Sequence, residues 1–149
     1  MSLRGAKIMK TDDINILART LYGEARGEYR GQVGIASLIA VGNVVMNRLN
    51  AGGWYGKTIQ EVCQKPWQFS CWNQGDPNLS IITQGIIDDP VFSVCREVAA
   101  KVSNGQWPDL TQGSNHYHAS TMPLFPKWTK GIRPKVSIGN HIFYQLKGD

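Results

Sequence analysis

Apolar residues at Ile14, Leu17 and Leu21 recur at spacings of three and four, the period of one buried helix face. Thr11, Asp12 and Asp13 ahead of them supply an N-cap and first-turn acids, so a helix is expected to start there. Gly27 is expected to stop it. Extending the apolar row by three from Leu21 reaches Glu24, which places a carboxylate where the core should be. Burial and the negative end of a helix that stops at Gly27 would both favour the protonated form, the state a general acid needs. The plainer alternative is an ion pair between Glu24 and Arg19 or Arg26 at a helix end.

A second helix is expected from Gln32 to Leu49. Val33, Ile35, Leu38, Ile39, Val41, Val44, Val45 and Met46 surround it almost completely, the mark of a central buried helix. A membrane span is disfavoured, because Ser37, Gly42, Asn43 and Asn47 interrupt a run already short of about 18 residues. Lys57 to Gln64 reads as a short helical turn with Ile59 and Val62 facing inward. Pro66 to Gly75 reads as an aromatic-rich loop, and 76–87 shows no clear period. Asp88-Asp89-Pro90 reads as N-cap and first turn of a third helix, with Val91, Val94, Cys95 and Val98 inside and Asn104-Gly105 at its close. Short strands are expected at Asn115 to Ala119, Val136 to Ile138 and Ile142 to Leu146. The expected class is therefore α+β and mostly helical, with a small β-sheet near the C-terminus. Residues 1–10 form a flexible N-terminal arm in this reading and 11–149 a single domain.

Composition changes this picture little. The chain has 149 residues, 42% hydrophobic and 18% charged, which suits one folded domain. A net charge of +5 suggests an anionic partner such as nucleic acid, a membrane surface or a cell-wall polymer. The basic residues form no run of five, which argues against a nucleic-acid arm. Cys63, Cys71 and Cys95 contain no CxxC pair and are expected as three buried reduced thiols, with one disulfide plus a free thiol as the alternative. Met1 to Lys10 has charge but no apolar h-region, so no secretory signal is visible. Export would then use another route or a segment upstream of this sequence.

Two stretches carry candidate chemistry. Gln68-Phe69-Ser70-Cys71-Trp72-Asn73 alternates aromatic rings with amides and a hydroxyl, a mixture that sugar clefts use for stacking and hydrogen bonding. The alternative is a packed loop whose rings belong to the core. His116-Tyr117-His118 sets two imidazoles on one face of a strand. With His141 they could form a three-histidine zinc site and a metal-dependent amidase, although no carboxylate stands at ligand spacing nearby. A Cys-His peptidase would need Cys63 or Cys71 as nucleophile, and Cys71 lies in an aromatic loop with no evident helix N-terminus to activate it.

Taken together, several segments resemble the SleB/CwlJ-type cell-wall hydrolases, a family of spore-cortex-lytic enzymes and related phage lysins. They are Glu24-Ala25-Arg26-Gly27-Glu28 with Gly31-Gln32-Val33 and Asn47-Arg48, then Gln68 to Trp72. Asp109-Leu110-Thr111, Gly113 and His116 to His118 follow, and Ile138 to Tyr144 closes the set. The resemblance covers roughly residues 14–146. It implies a lysozyme-like fold, cleavage of peptidoglycan between N-acetylmuramic acid and N-acetylglucosamine, and a single catalytic glutamate, here Glu24. The second helix is a turn or two longer than the family pattern implies.

Glycoside cleavage usually uses two carboxylates. The accessory candidates are Glu28, Asn115 and His141, and Glu28 lies one turn from Glu24 only if the helix continues past Gly27. A lytic transglycosylase needs one acid, because the substrate's own C6 hydroxyl attacks. The expected activity is therefore a lytic transglycosylase giving 1,6-anhydromuramyl ends, with Glu24 as general acid and base. Gln68, Phe69, Ser70, Trp72, His116 and Tyr117 are the expected substrate-binding residues. Alternatives are a hydrolytic muramidase, the metal amidase and a non-catalytic peptidoglycan-binding module. The expected partners are peptidoglycan glycan strands, with no nucleic acid, no membrane insertion, no metal or other cofactor, and a monomeric state.

Overall fold

The computed structural model describes residues 11–147; the arm expected over residues 1–10 lies outside them. Five α-helices come first: α1 (Thr11–Arg30), α2 (Ile35–Ala51), α3 (Ile59–Gln64), α4 (Leu79–Ile82) and α5 (Pro90–Ser103). Three strands follow, β1 (His116–Ala119), β2 (Val136–Ile138) and β3 (His141–Tyr144), in the spatial order β1-β3-β2 with both pairs antiparallel. The mostly helical α+β class and the small C-terminal sheet stand as expected.

Helix α1 is the element against which α2, α3, α4 and α5 all pack. Leu17, Ala18, Leu21, Tyr22 and Ala25 are buried along it, so the core row continues through Ala25 and leaves Glu24 half-buried at its edge. Gly27 does not stop the helix, which runs one turn further to Arg30. That extra turn is tied down: Arg26 donates to the Tyr22 carbonyl at 2.9 Å and to Asn78 at 2.7 Å, and Arg30 pairs with Asp89. Asp89 also accepts from the Tyr22 hydroxyl at 2.6 Å and caps α5 through the Val91 N–H at 2.9 Å. One carboxylate thus fixes the start of α5 to the end of α1, and hydrogen bonding to it together with the nearby Arg30 holds it below the usual carboxylate range.

Helix α2 buries Leu38, Val41, Val44 and Val45, yet Ile35 at its start is exposed, so it is apolar all round only over its middle turns. Asn43 and Arg48 lie buried on the same helix. Asn43 accepts from the Leu110 N–H at 2.9 Å and Arg48 reaches the sheet, so each polar side chain fixes a later loop to the helix. Helix α4 occupies the stretch without visible period; Arg19 holds its end by donating to the Ile82 carbonyl at 2.6 Å.

Candidate active site

Glu24 sits where three chain segments meet. Its Oε2 accepts from the Cys71 backbone N–H at 3.0 Å and, at a long 3.4 Å, from the Ser70 hydroxyl. Its Oε1 accepts from the Tyr117 hydroxyl at 2.6 Å. The 3-10 turn Ser70–Trp72 and strand β1 therefore bracket the carboxylate from two sides. The turn comes this close because residue 23 is glycine. A Cβ there would stand 2.6 Å from Cys71 Cβ and 2.8 Å from its sulfur. Burial and the Glu24 carboxylate both push the Tyr117 phenol up, so it stays protonated and remains a donor.

One turn along α1, Glu28 faces the same groove, a hollow of ≈ 550 Å³ lined by Glu24, Gly27, Glu28, Gln32, Gly139 and Asn140 among others. The continuation of α1 through Gly27 puts it there. Glu28 Oε1 accepts from the Asn140 N–H at 3.3 Å, and Oε2 lies 3.1 Å from His141 Nδ1. Burial outweighs the neighbouring carboxylates and lowers the His141 pKa, so a neutral ring donates from Nδ1. Gly139, at φ +58, lets the β2–β3 turn settle on this carboxylate, since a Cβ there would meet Glu28 Oε1 at 2.5 Å. Two larger hollows, of ≈ 680 and ≈ 670 Å³, lie around Tyr55 and do not touch Glu24.

Other expected site residues go elsewhere. In the β1–β3 register Tyr117 opposes Phe143 and Ala119 opposes His141, whereas His118 opposes Ile142 and His116 opposes Tyr144. Paired residues share a face, so Tyr117 and His141 lie on one side of the sheet and His116 and His118 on the other. A three-histidine metal site is therefore ruled out by register. His118 is also spent, with Nδ1 on the Ala119 carbonyl and Nε2 on the Tyr144 hydroxyl, each at 2.9 Å. His116 faces away from Glu24, packed beside Tyr55 and Trp128, and burial pushes its imidazole down to about 4.

Phe69 is 1% exposed with the Arg48 guanidinium over its ring, so it has no free face for a sugar. Trp72 directs its indole N–H to Thr20 at 2.9 Å, on the core side of the turn. Gln68 accepts from Arg48 at 3.1 Å and does not reach Glu24. Asn115 joins the ends of β1 and β3 through two bonds to Leu146, at 2.8 and 2.9 Å. All four are thus engaged with the protein's own groups. Cys71 and Cys63 are buried free thiols, pushed up by burial in both cases, Cys63 to about 12, which leaves no thiolate for a peptidase.

Arg48, a motif residue left without a role by the sequence alone, stands at the centre of these contacts. It is 5% exposed and donates to the Asn115 carbonyl at 2.7 Å and to Gln68, with Tyr55 and Phe69 around it. It locks α2 to both segments that bracket Glu24. A signal was available: Arg48 lies at i+3 and i+4 from Val45 and Val44, on the buried side of its helix.

The family model for cell wall hydrolases matches residues 28–144, beginning four residues after Glu24. A spore cortex-lytic enzyme of Bacillus subtilis is 31% identical over 134 residues, which cover 89% of this chain and 37% of that protein. One from Oceanobacillus iheyensis is 30% identical over 138 residues, 89% of this chain and 41% of its own. The chain thus spans roughly two fifths of the length of these relatives. Among solved structures, the catalytic domain of the germination-specific lytic transglycosylase SleB from Bacillus anthracis superposes with a TM-score of 0.67 at 22% identity, over 95% of this chain and 100% of that one. The catalytic domain of the Bacillus cereus SleB protein gives 0.58 at 20% identity, over 97% and 98%. With most of its length matched by the family and its fold shared with these domains, the chain belongs to the cell wall hydrolases.

Proposed function

We propose that this protein cleaves the glycan strand of peptidoglycan at the N-acetylmuramic acid to N-acetylglucosamine bond, as a lytic transglycosylase, with Glu24 as its acid and base. The observation that carries the reading is the setting of Glu24: a carboxylate on the helix edge, opening on a groove, with each oxygen oriented by a donor from a different segment. The protonated carboxyl gives its proton to the glycosidic oxygen as that bond breaks. The resulting carboxylate then takes the proton of the muramyl C6 hydroxyl as its oxygen bonds to the anomeric carbon, closing a 1,6-anhydro ring. Tyr117 and the Cys71 N–H keep the carboxyl aimed, so little reorganisation accompanies the transfer. Ser70 is the remaining side chain of the expected binding set beside the acid. The lytic transglycosylase named among the structural neighbours supports this choice of reaction.

Glu28 supports a second reading, a muramidase in which it activates water from the same groove. Against this, both of its oxygens are engaged, by His141 and by the Asn140 N–H. Mass spectrometry of products from purified peptidoglycan separates the two, because anhydro ends are lighter by one water than hydrolytic ends. Glu24→Gln is expected to fold normally and to lose cleavage by about 10²–10⁴-fold. Near-normal cleavage by that variant would remove Glu24 from the mechanism.

A further inference from the structure

The charge of this protein is segregated along the chain. Residues 11–109 carry eight Lys or Arg against ten Asp or Glu, whereas residues 110–147 carry five against none. Four of those five, Lys127, Lys130, Arg133 and Lys135, are exposed on the single long loop between β1 and β2. The same loop exposes Met122, Leu124 and Phe125, with Leu124 at 83%. The loop is nevertheless rooted. Ser120 N–H donates to the Asn140 carbonyl at 2.7 Å and Lys135 N–H to the Phe143 carbonyl at 2.8 Å. Phe125 lies with its ring centre 4.4 Å from that of His118, and Trp128 packs on Tyr144. Pro123 and Pro126 flank Leu124-Phe125 and stiffen the tip.

We infer that this loop is a peripheral docking surface for an anionic lipid bilayer. Cations close to such a surface are drawn to its negative potential, each strengthening binding by roughly fivefold. An apolar tip between them gains by entering the headgroup boundary. A purely polyanionic partner, such as a phosphate-bearing wall polymer, would engage the lysines and leave Leu124 without a role. No helix among the described residues is long and apolar enough to cross a membrane, so the contact lies on the surface. Ser120, where the loop begins, is bonded to Asn140, which lines the groove beside Glu24, so docking would hold the groove next to the bilayer.

Cosedimentation of the full chain tests this, using vesicles of phosphatidylcholine alone and vesicles with one third phosphatidylglycerol, at low and high salt. Binding is expected only with the anionic vesicles and is expected to fall steeply with salt. Lys130→Glu and Arg133→Glu should each weaken it by more than roughly fivefold. Leu124→Ser should weaken it by roughly tenfold with an unchanged Tm, since the side chain is exposed. Equal binding to both vesicle types, or unaltered binding by Leu124→Ser and the two charge reversals, would overturn the inference. So would pelleting with purified walls but not with anionic vesicles, which would assign the loop to a wall polymer.

Discussion

Replacing Gly23 by alanine probes how closely the Ser70–Trp72 turn must approach α1. The added methyl would start 2.6 Å from Cys71 Cβ and 2.8 Å from its sulfur. Carbon atoms rest at about 3.5–4.0 Å, so the turn has to retreat by about 1 Å. The Cys71 N–H, now 3.0 Å from Glu24 Oε2, would then stand beyond hydrogen-bonding range. Overpacking of this kind costs about 1–3 kcal/mol, and a lost hydrogen bond to a carboxylate about 1.5–3 kcal/mol, reduced here because water reaches the groove. Alanine in a helix interior returns about 1 kcal/mol over glycine. The balance is a destabilisation of about 1–3 kcal/mol, read as a Tm lower by about 3–10 °C. Displacing the donor by about 1 Å should cut glycan cleavage by about 100-fold. The identity of the clash supplies a sharper test. Cys71→Gly in the Gly23→Ala background removes both clashing atoms, whereas Cys71→Ala leaves the 2.6 Å contact in place. A double-mutant cycle on urea midpoints should show coupling with glycine at position 71 and little with alanine. An unchanged Tm and rate in Gly23→Ala, or equal rescue by the two Cys71 variants, would refute the reasoning.

Tyr117→Phe should lower cleavage tenfold or more while stability changes by less than about 1 kcal/mol, because it removes a donor to Glu24 and no packing. Gln68→Ala should do the reverse: it deprives buried Arg48 of an acceptor, so urea melts should show a loss of about 1–3 kcal/mol with the specific activity of the folded fraction retained. Burial raises the Asp109 carboxyl, but bonds from Thr111, Asn47 and the Thr111 and Gly113 N–H groups prevail and hold it below its ordinary range. Its stabilising effect is thus full above pH about 4 and is lost as pH falls through the lowered value. Asp109→Ala should be less stable than the parent at pH 7, with a deficit that narrows at strongly acid pH. His116 has the opposite charge logic, since its folded value of about 4 lies below the ordinary 6.5. The unfolded chain then binds the proton first, so stability declines as pH drops from 6.5 towards 4, and His116→Gln should flatten that part of a plot of urea midpoint against pH.

Much of the frame was legible because it rests on local patterns. The Leu17–Leu21 row, the Asp89-Pro90 start of α5 and the three short strands carry their periods and caps in neighbouring residues. Gly27 misled, because its helix-stopping tendency is weak beside the side-chain bonds of Arg26 and Arg30, whose partners lie some fifty residues away. Glu24 stood out by its break in an apolar row and Tyr117 by its place in a motif, and the structure brings the two side chains together. The packing of Phe69, Trp72 and His116 was not legible for a different reason. An aromatic ring that stacks on a sugar and one that fills a core look alike in sequence, and only the partners, here Arg48, Thr20 and Trp128, tell them apart. Sheet register resolved the histidines, since a pairing of Ala119 with His141 sends residues two apart on β1 to one side and the third imidazole to the other.

The partners of Glu24 lie far along the chain: Cys71 is 47 residues away and Tyr117 is 93. Closing loops of that length is a slow, late event compared with forming the helix itself. While the polypeptide is still emerging or still collapsing, Glu24 is an ordinary surface carboxylate on a nascent helix, with nothing to aim it. The three-segment setting of Glu24 therefore comes into being only with those tertiary closures. The order of that assembly is thus written into the distance between residue 24 and residue 117.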